Sequence, residues 1–175
     1  MAKIRIYRVV DSDGCGMYRP KTGADKDSLW DMAIKVRDHN HPTVDDDFTF
    51  MRNIDDYIKN NKEMFSNPSE TLDKIYHSRS TIRILKYFYD GFDYHRYYEF
   101  VFGFLNKRQY LKWVYDPQWR YSMNSYGGKL QVWEVEESKV LVGDTQVIFF
   151  EMDAELVAEV KPSYFDDNYH HEVYI

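Results

Sequence analysis

The sequence predicts an α+β fold: a single domain with a central mixed or antiparallel sheet flanked by helices. Three observations carry that expectation. Val140–Glu151, VLVGDTQVIFFE, reads as a strand, a tight turn and a nearly unbroken apolar strand. Val147, Ile148, Phe149 and Phe150 leave no face for solvent, so this strand needs cover on both sides. Lys3–Val10 alternates as a strand with one apolar row. Asn67-Pro68-Ser69-Glu70 opens a helix, supplying an N-cap, a proline at the first helical position and a glutamate that reaches back. At 175 residues the chain is long enough for a core without help from metal or disulfide. Residues 1–162 are assigned to that domain and 163–175 to an acidic, Tyr-rich tail or edge strand.

In chain order, Ile4, Ile6 and Val10 share a face of the first strand with Arg8. A guanidinium in an apolar row is costly unless it meets an acid, a carbonyl or a bound anion. Arg8 therefore reads either as half of a structural ion pair or as a ligand-facing arginine. Asp11–Lys21 is a Gly-containing loop in which Tyr18 and Arg19 are placed to cover a pocket. Asp27 caps a helix to about Arg37 that ends before His41-Pro42, since the residue before proline avoids helical geometry. A polar insertion with Asp45–Asp47 follows, then a short helix around Ile54–Asn60 and the capped helix after Asn67. Thr81–Tyr89 is ambiguous between helix and strand, and Asp90-Gly91 is a turn. Tyr98–Leu105 is a buried strand. Asn106 caps the next helix, with Gln109 three positions on, and Asp116-Pro117 ends it. A polar aromatic loop to Gly127-Gly128 leads to a strand at Leu130–Val135. After the Val140–Glu151 stretch comes a return strand at Ala154–Val160.

Acidic residues outnumber basic ones by 29 to 23, for a formal charge of −6. That argues against direct nucleic-acid binding, which needs a basic face, and favours a small molecule or a basic protein as partner. Aromatic residues make up 18% of the chain, with 16 Tyr; most such rings pack in or against the core. The single cysteine, Cys15, forms no internal disulfide and fits a reducing compartment. MAKIRIYRVV has no apolar leader region, and no run approaches membrane-spanning length, so the expectation is a cytoplasmic protein without a membrane partner. No metal is predicted. His41 with three adjacent aspartates lacks a ligand geometry, and the adjacent His170 and His171 would point to opposite strand faces. Oligomeric state is not legible.

Three polar features sit at three predicted strands: Arg8, Asn106 just after YEFVFGFL, and the step Asp144-Thr145-Gln146. With their neighbours YRVV (Tyr7–Val10), FGFLN (Phe102–Asn106) and DTQVIFFEMDAELVAEV (Asp144–Val160), they resemble in order and pattern the ADP-ribosyltransferase fold, in its Arg, Ser-Thr-Ser, Glu-x-Glu branch. The resemblance implies an ADP-ribosyltransferase-like cleft for NAD or ADP-ribose. Arg8 and Asn106 would hold the dinucleotide, and Tyr18 and Arg19 would flank it. Gln146 stands where that branch has its catalytic glutamate, and Asn106 where it has its first serine. Glutamine still hydrogen-bonds a ribose hydroxyl but is neutral, and losing one electrostatic stabiliser costs roughly 3–4 kcal/mol. Asp144, two residues earlier on the same strand face, is the substitute. If active, such a protein would be an NAD-dependent ADP-ribosyltransferase. The wider layout, from YRVV through a G-x-G-x-Y-R step, His41-Pro42 and FGF to G-x-x-Q-V-x-F, is similar to small proteins carried by bacteriophages. It implies a phage protein working in the host cytosol. The alternative function is then non-catalytic: binding and inhibiting a host or antiphage-defence protein through acidic, aromatic surface such as Asp45–Asp47, Asp55-Asp56, Glu136-Glu137 and Asp166-Asp167.

Overall fold

A computed structural model describes residues 2–14, 16, 48–77 and 100–167. The expected helix at Asp27–Arg37, the aspartates Asp45–Asp47, the Thr81–Tyr89 segment, and Cys15, Tyr18, Arg19, His170 and His171 lie outside the described residues.

The architecture is α+β. Strand β1 (Lys3–Val10) is followed by helix α1 (Phe48–Asn60), helix α2 (Pro68–Tyr76), strand β2 (Phe100–Gly103), helix α3 (Lys107–Trp113) and helix α4 (Pro117–Ser125). Strands β3 (Lys129–Glu136), β4 (Leu141–Val142), β5 (Val147–Phe150) and β6 (Ala154–Val160) come next, then a helical turn α5 (Tyr164–Asp167). The described strands make two antiparallel three-stranded sheets, in the orders β1-β3-β6 and β2-β5-β4. Among the described residues an isolated bridge joins them. The N–H of Tyr7 donates to the carbonyl of Phe104 at 2.8 Å, and the N–H of Phe104 donates back to Tyr7 at 2.7 Å.

Strand alternation divides the apolar residues among three cores. In β5 all four side chains are buried, as the unbroken run demands. Ile148 and Phe150 pack with Leu141 against Ile54, Ile58, Met64, Phe65 and Ile75, from α1, α2 and the turn between them. Val147 and Phe149 point the other way and meet Val101, Ile6 and Val135, so this core draws on both sheets. The other face of β1 and β3 sends Val9 and Leu130 into a third core with Phe104, Tyr110, Trp113, Met123 and Phe165. Each fully buried Val, Ile or Phe contributes roughly 1.5–3 kcal/mol, so β5 alone anchors two cores.

Helix starts follow their caps. Asn67 Oδ1 accepts from the Glu70 N–H at 3.3 Å while its amide nitrogen donates to the Glu70 carboxylate at 2.9 Å. Helix α1 begins at Phe48, earlier than the Ile54–Asn60 expectation. Three expectations are corrected. The stretch after Asp116-Pro117 is the helix α4 rather than a loop: Asp116 accepts from the Gln118 N–H at 2.8 Å and Pro117 fills the first helical position. The strand Ala154–Val160 does not return beside β5; a 3-10 turn at Glu151–Asp153 carries the chain to the other sheet, where β6 pairs with β3. The stretch from Ser163, expected as tail or edge strand, begins with α5, whose Phe165 is buried.

Gly103 sits where the sheets touch. A Cβ there would lie 2.5 Å from Ile6 Cγ2, 3.0 Å from the Tyr7 carbonyl oxygen and 3.3 Å from Phe149 Cε1. The carbonyl belongs to the bridge and cannot swing aside. Gly103→Ala is therefore expected to destabilise the fold by about 1–3 kcal/mol, the usual cost of overpacking, read as a lower denaturant midpoint at unchanged slope.

Candidate functional site

Arg8 lies in the inward row of β1 and is 9% exposed. Its Nη1 donates to Glu151 Oε1 at 2.6 Å, the acid partner that a buried guanidinium requires. The loop after β1 comes back over it: Gly16 bridges Val10, and a Cβ at Gly16 would come within 3.0 Å of Arg8 Nη2. Directly across the ladder from Arg8 is Gln131. Its amide nitrogen donates to Glu159 at 3.2 Å and its oxygen accepts from the Trp133 indole N–H at 3.2 Å. Lys129 donates to the same Glu159 carboxylate at 2.9 Å, and that bond holds Glu159 below the usual carboxylate range. Gln131 and Glu151 were not singled out from sequence. Gln131 has a visible signal, an amide that shares a strand face with Trp133 and Val135.

The other three positions gather around α3. Asn106 is its N-cap, accepting from the Gln109 N–H at 3.0 Å. Gln109 is buried; its oxygen accepts from the Leu105 N–H at 2.7 Å and its nitrogen donates to the Gly143 carbonyl at 2.8 Å. The tight turn Gly143–Gln146 closes through the Gly143 N–H and the Gln146 carbonyl at 2.9 Å. Asp144, exposed at its tip, accepts from Lys112 at 3.1 Å and from Arg108 at 3.3 Å. The Trp113 indole donates to the Thr145 carbonyl at 3.0 Å. One face of α3 thus holds the whole turn. Gln146, at the inner end of that turn, is 3% exposed. Glu151, which binds Arg8, is five residues farther along. At roughly 3.3 Å per strand residue that is about 16 Å of chain, so Arg8 is tied to the opposite end of β5 from Gln146. Asn106, Asp144 and Gln146 come together around α3; the Arg8 guanidinium is bonded to Glu151, just past the other end of β5.

Two of the surface cavities are lined by described residues. One of about 490 Å³ is lined by Ala2, four residues of α1 and the Glu137–Val142 segment. The other, about 350 Å³, lies beside Lys3, Glu134, Lys139 and Asp153, where burial pushes the Asp153 carboxyl up. Neither is lined by Arg8, Asn106, Asp144 or Gln146. Among the described residues no group of three or more His, Cys, Asp or Glu side chains is placed to hold a metal ion, and no helix is long and apolar enough to cross a membrane.

Among the described residues, α4 and its ends carry several exposed aromatic rings. Tyr115, Tyr121 and Tyr126 are each about half exposed, and the Tyr115 and Trp119 rings meet at 5.0 Å. Helix α5 brings an acid beside Tyr121. Arg120, buried, donates through Nε and Nη2 to both oxygens of Asp166 at 2.6 Å. Burial works against the Arg120 charge, and the Asp166 bond outweighs it. The Tyr121 hydroxyl donates to Asp167 at 3.0 Å, and Ser163 Oγ donates to the same carboxylate at 2.9 Å. Behind this face the Tyr110 hydroxyl donates to the Pro162 carbonyl at 2.8 Å, and burial pushes that phenol above its ordinary range. Sequence reading flagged Asp166-Asp167 and missed the tyrosines, because it read their segment as loop.

The Lys112 bond holds Asp144 below the usual aspartate range, with Arg108 adding to it. A depressed folded pKa means that this contribution is present above the unfolded aspartate value and is lost as pH falls through the folded one. Lys112→Gln is expected to raise the Asp144 titration midpoint towards the ordinary value, read by carboxyl NMR; an unchanged midpoint would show that Lys112 does not hold it.

Comparison with known proteins finds no matching curated protein and no matching solved structure. A family model, Bacteriophage T4 Y00F protein, matches residues 1–163, every described element up to the start of α5. The chain belongs to this bacteriophage T4 Y00F protein family.

Proposed function

We propose that this phage-family protein is a non-catalytic binding protein, which occupies and inhibits a host or antiphage-defence protein by docking the acidic, aromatic face of α4 and α5 on a basic patch. The observation that carries this reading is the presence of three half-exposed tyrosines within residues 115–126, of which Tyr121 is bonded to Asp167 of α5. Tyrosine offers a large rigid ring with a polar tip at low entropic cost, which is why it is enriched in interface cores. The acids are held in place before any partner arrives: Asp166 by Arg120, Asp167 by Tyr121 and Ser163. Preorganisation lowers the ordering cost of association, and the net charge of −6 favours encounter with a basic surface.

The ADP-ribosyltransferase-like reading, with an NAD or ADP-ribose cleft, has less support. Gln146 is nearly inaccessible, Arg8 is committed to Glu151, and Asp144 to Lys112 and Arg108.

Affinity capture from bacterial lysate, followed by reconstitution with the captured protein, tests the proposal. Tyr115→Ala combined with Tyr126→Ala is expected to weaken the purified complex by roughly tenfold or more, the scale of interface hot spots. Added salt should weaken it further. Unchanged affinity in that variant, or consumption of NAD by the purified protein, would contradict the reading.

A further inference from the structure

The turn Glu151–Asp153 carries the chain from β5 to β6, and so from one sheet to the other. It closes through the Ala154 N–H, which donates to the Glu151 carbonyl. The two acids of the turn fare differently. Glu151 is matched by Arg8 at 2.6 Å. Asp153 lines a cavity of about 350 Å³ between the turn and the strands β1, β3 and β6. Its Oδ2 is buried, with no hydrogen-bond partner among the described residues. A buried carboxylate oxygen without a donor is costly as an anion and far less so once the group carries a proton.

The charged groups described around Asp153 leave that donor missing. Lys3, on the cavity wall, is bonded to Glu155 at 3.2 Å, and Lys139 to Glu63 at 2.9 Å. Each lysine is thus shared with another carboxylate. Glu134, also on the wall, accepts from Arg5 at 3.4 Å. Burial is the largest influence on Asp153; Lys139 opposes it, and the like charges of Glu63 and Glu136 add to it. The balance holds the Asp153 carboxyl above the usual aspartate range.

We propose that Asp153 makes the turn between the sheets a proton-sensitive joint, tight when its carboxyl is neutral and weaker when it is charged. The folded chain then holds this proton more firmly than the unfolded chain does. The penalty is in full force above the folded midpoint, shrinks as pH falls through it, and is gone below the unfolded aspartate value of about 3.9. Mild acidification strengthens the joint, the opposite of the Asp144 contribution. No residue of the α4–α5 face takes part, so the joint stands apart from the docking reading.

Carboxyl NMR of the full chain, with hydrogen exchange at the Ala154 amide, tests it. The Asp153 midpoint is expected above about 3.9. Glu63→Gln should lower that midpoint and Lys139→Met should raise it, opposite shifts that a general loosening of the fold does not give. Ala154 exchange, corrected for the intrinsic pH dependence of amide exchange, should slow as pH falls through the Asp153 midpoint. In Asp153→Asn that dependence should vanish, and at neutral pH this variant should unfold at a higher denaturant concentration than the unaltered chain. A midpoint at or below the ordinary value, Ala154 protection that does not follow it, or an Asp153→Asn chain no more stable at neutral pH would overturn the proposal.

Discussion

Two backbone hydrogen bonds between Tyr7 and Phe104 decide how this molecule is put together. Each is worth only about 0.5–1.5 kcal/mol net, so their direct contribution is small. Their effect is geometric. They bring β1 against the end of β2 so closely that Gly103 has no room for a side chain beside Ile6 and Phe149. That contact lets Val147 and Phe149 share a core with Ile6 and Val135 of the other sheet, at roughly 1.5–3 kcal/mol for each buried side chain. The apolar burial outweighs the bridge, and the bridge sets which residues are buried together.

The helices hang on this scaffold in two groups. Helices α1 and α2 cover Ile148 and Phe150, while α3, α4 and α5 cover the far face of β1 and β3. Buried polar side chains tie elements together: Arg8 to Glu151, Gln109 to Gly143, and Arg120 to Asp166. Several groups with shifted proton affinity, Arg120, Asp144 and Glu159 among them, belong to such ties. Perturbed ionisation marks catalytic sites only when the group also faces a cleft. Arg120 braces α4 to α5, Asp144 braces α3 to the Gly143–Gln146 turn, and Glu159 braces β6 to β3.

Much of this was legible in the residues. The run Val147–Phe150 required cover on both sides, and alternation then assigned its members to two cores. Asn67 and Asn106 announced their helices because a short side-chain acceptor before a helical pattern has few other uses. Helix α4 was missed although Asp116-Pro117 carries the same signal as Asn67-Pro68; its Tyr, Trp, Ser and Asn content gives a weak apolar stripe, and the pair was read as a stop. AELVAEV was recognisable as a strand, but the chain does not announce its neighbour. A 3-10 turn at Glu151–Asp153 sends it to β3. The same turn places Glu151 on Arg8, a long-range pairing that no local pattern encodes. The tyrosine face was hidden for the reason α4 was: exposed rings gather only once the helix is known.

Native-state hydrogen exchange at the Tyr7 and Phe104 amides tests this construction most directly. If the bridge is the joint on which both sheets depend, these two amides exchange only through global unfolding, with the same free energy and denaturant dependence as the amide of Phe149. Exchange through a low-energy, denaturant-independent local opening, while the β5 amides stay protected, would show that the sheets hold together without the joint and would contradict the account.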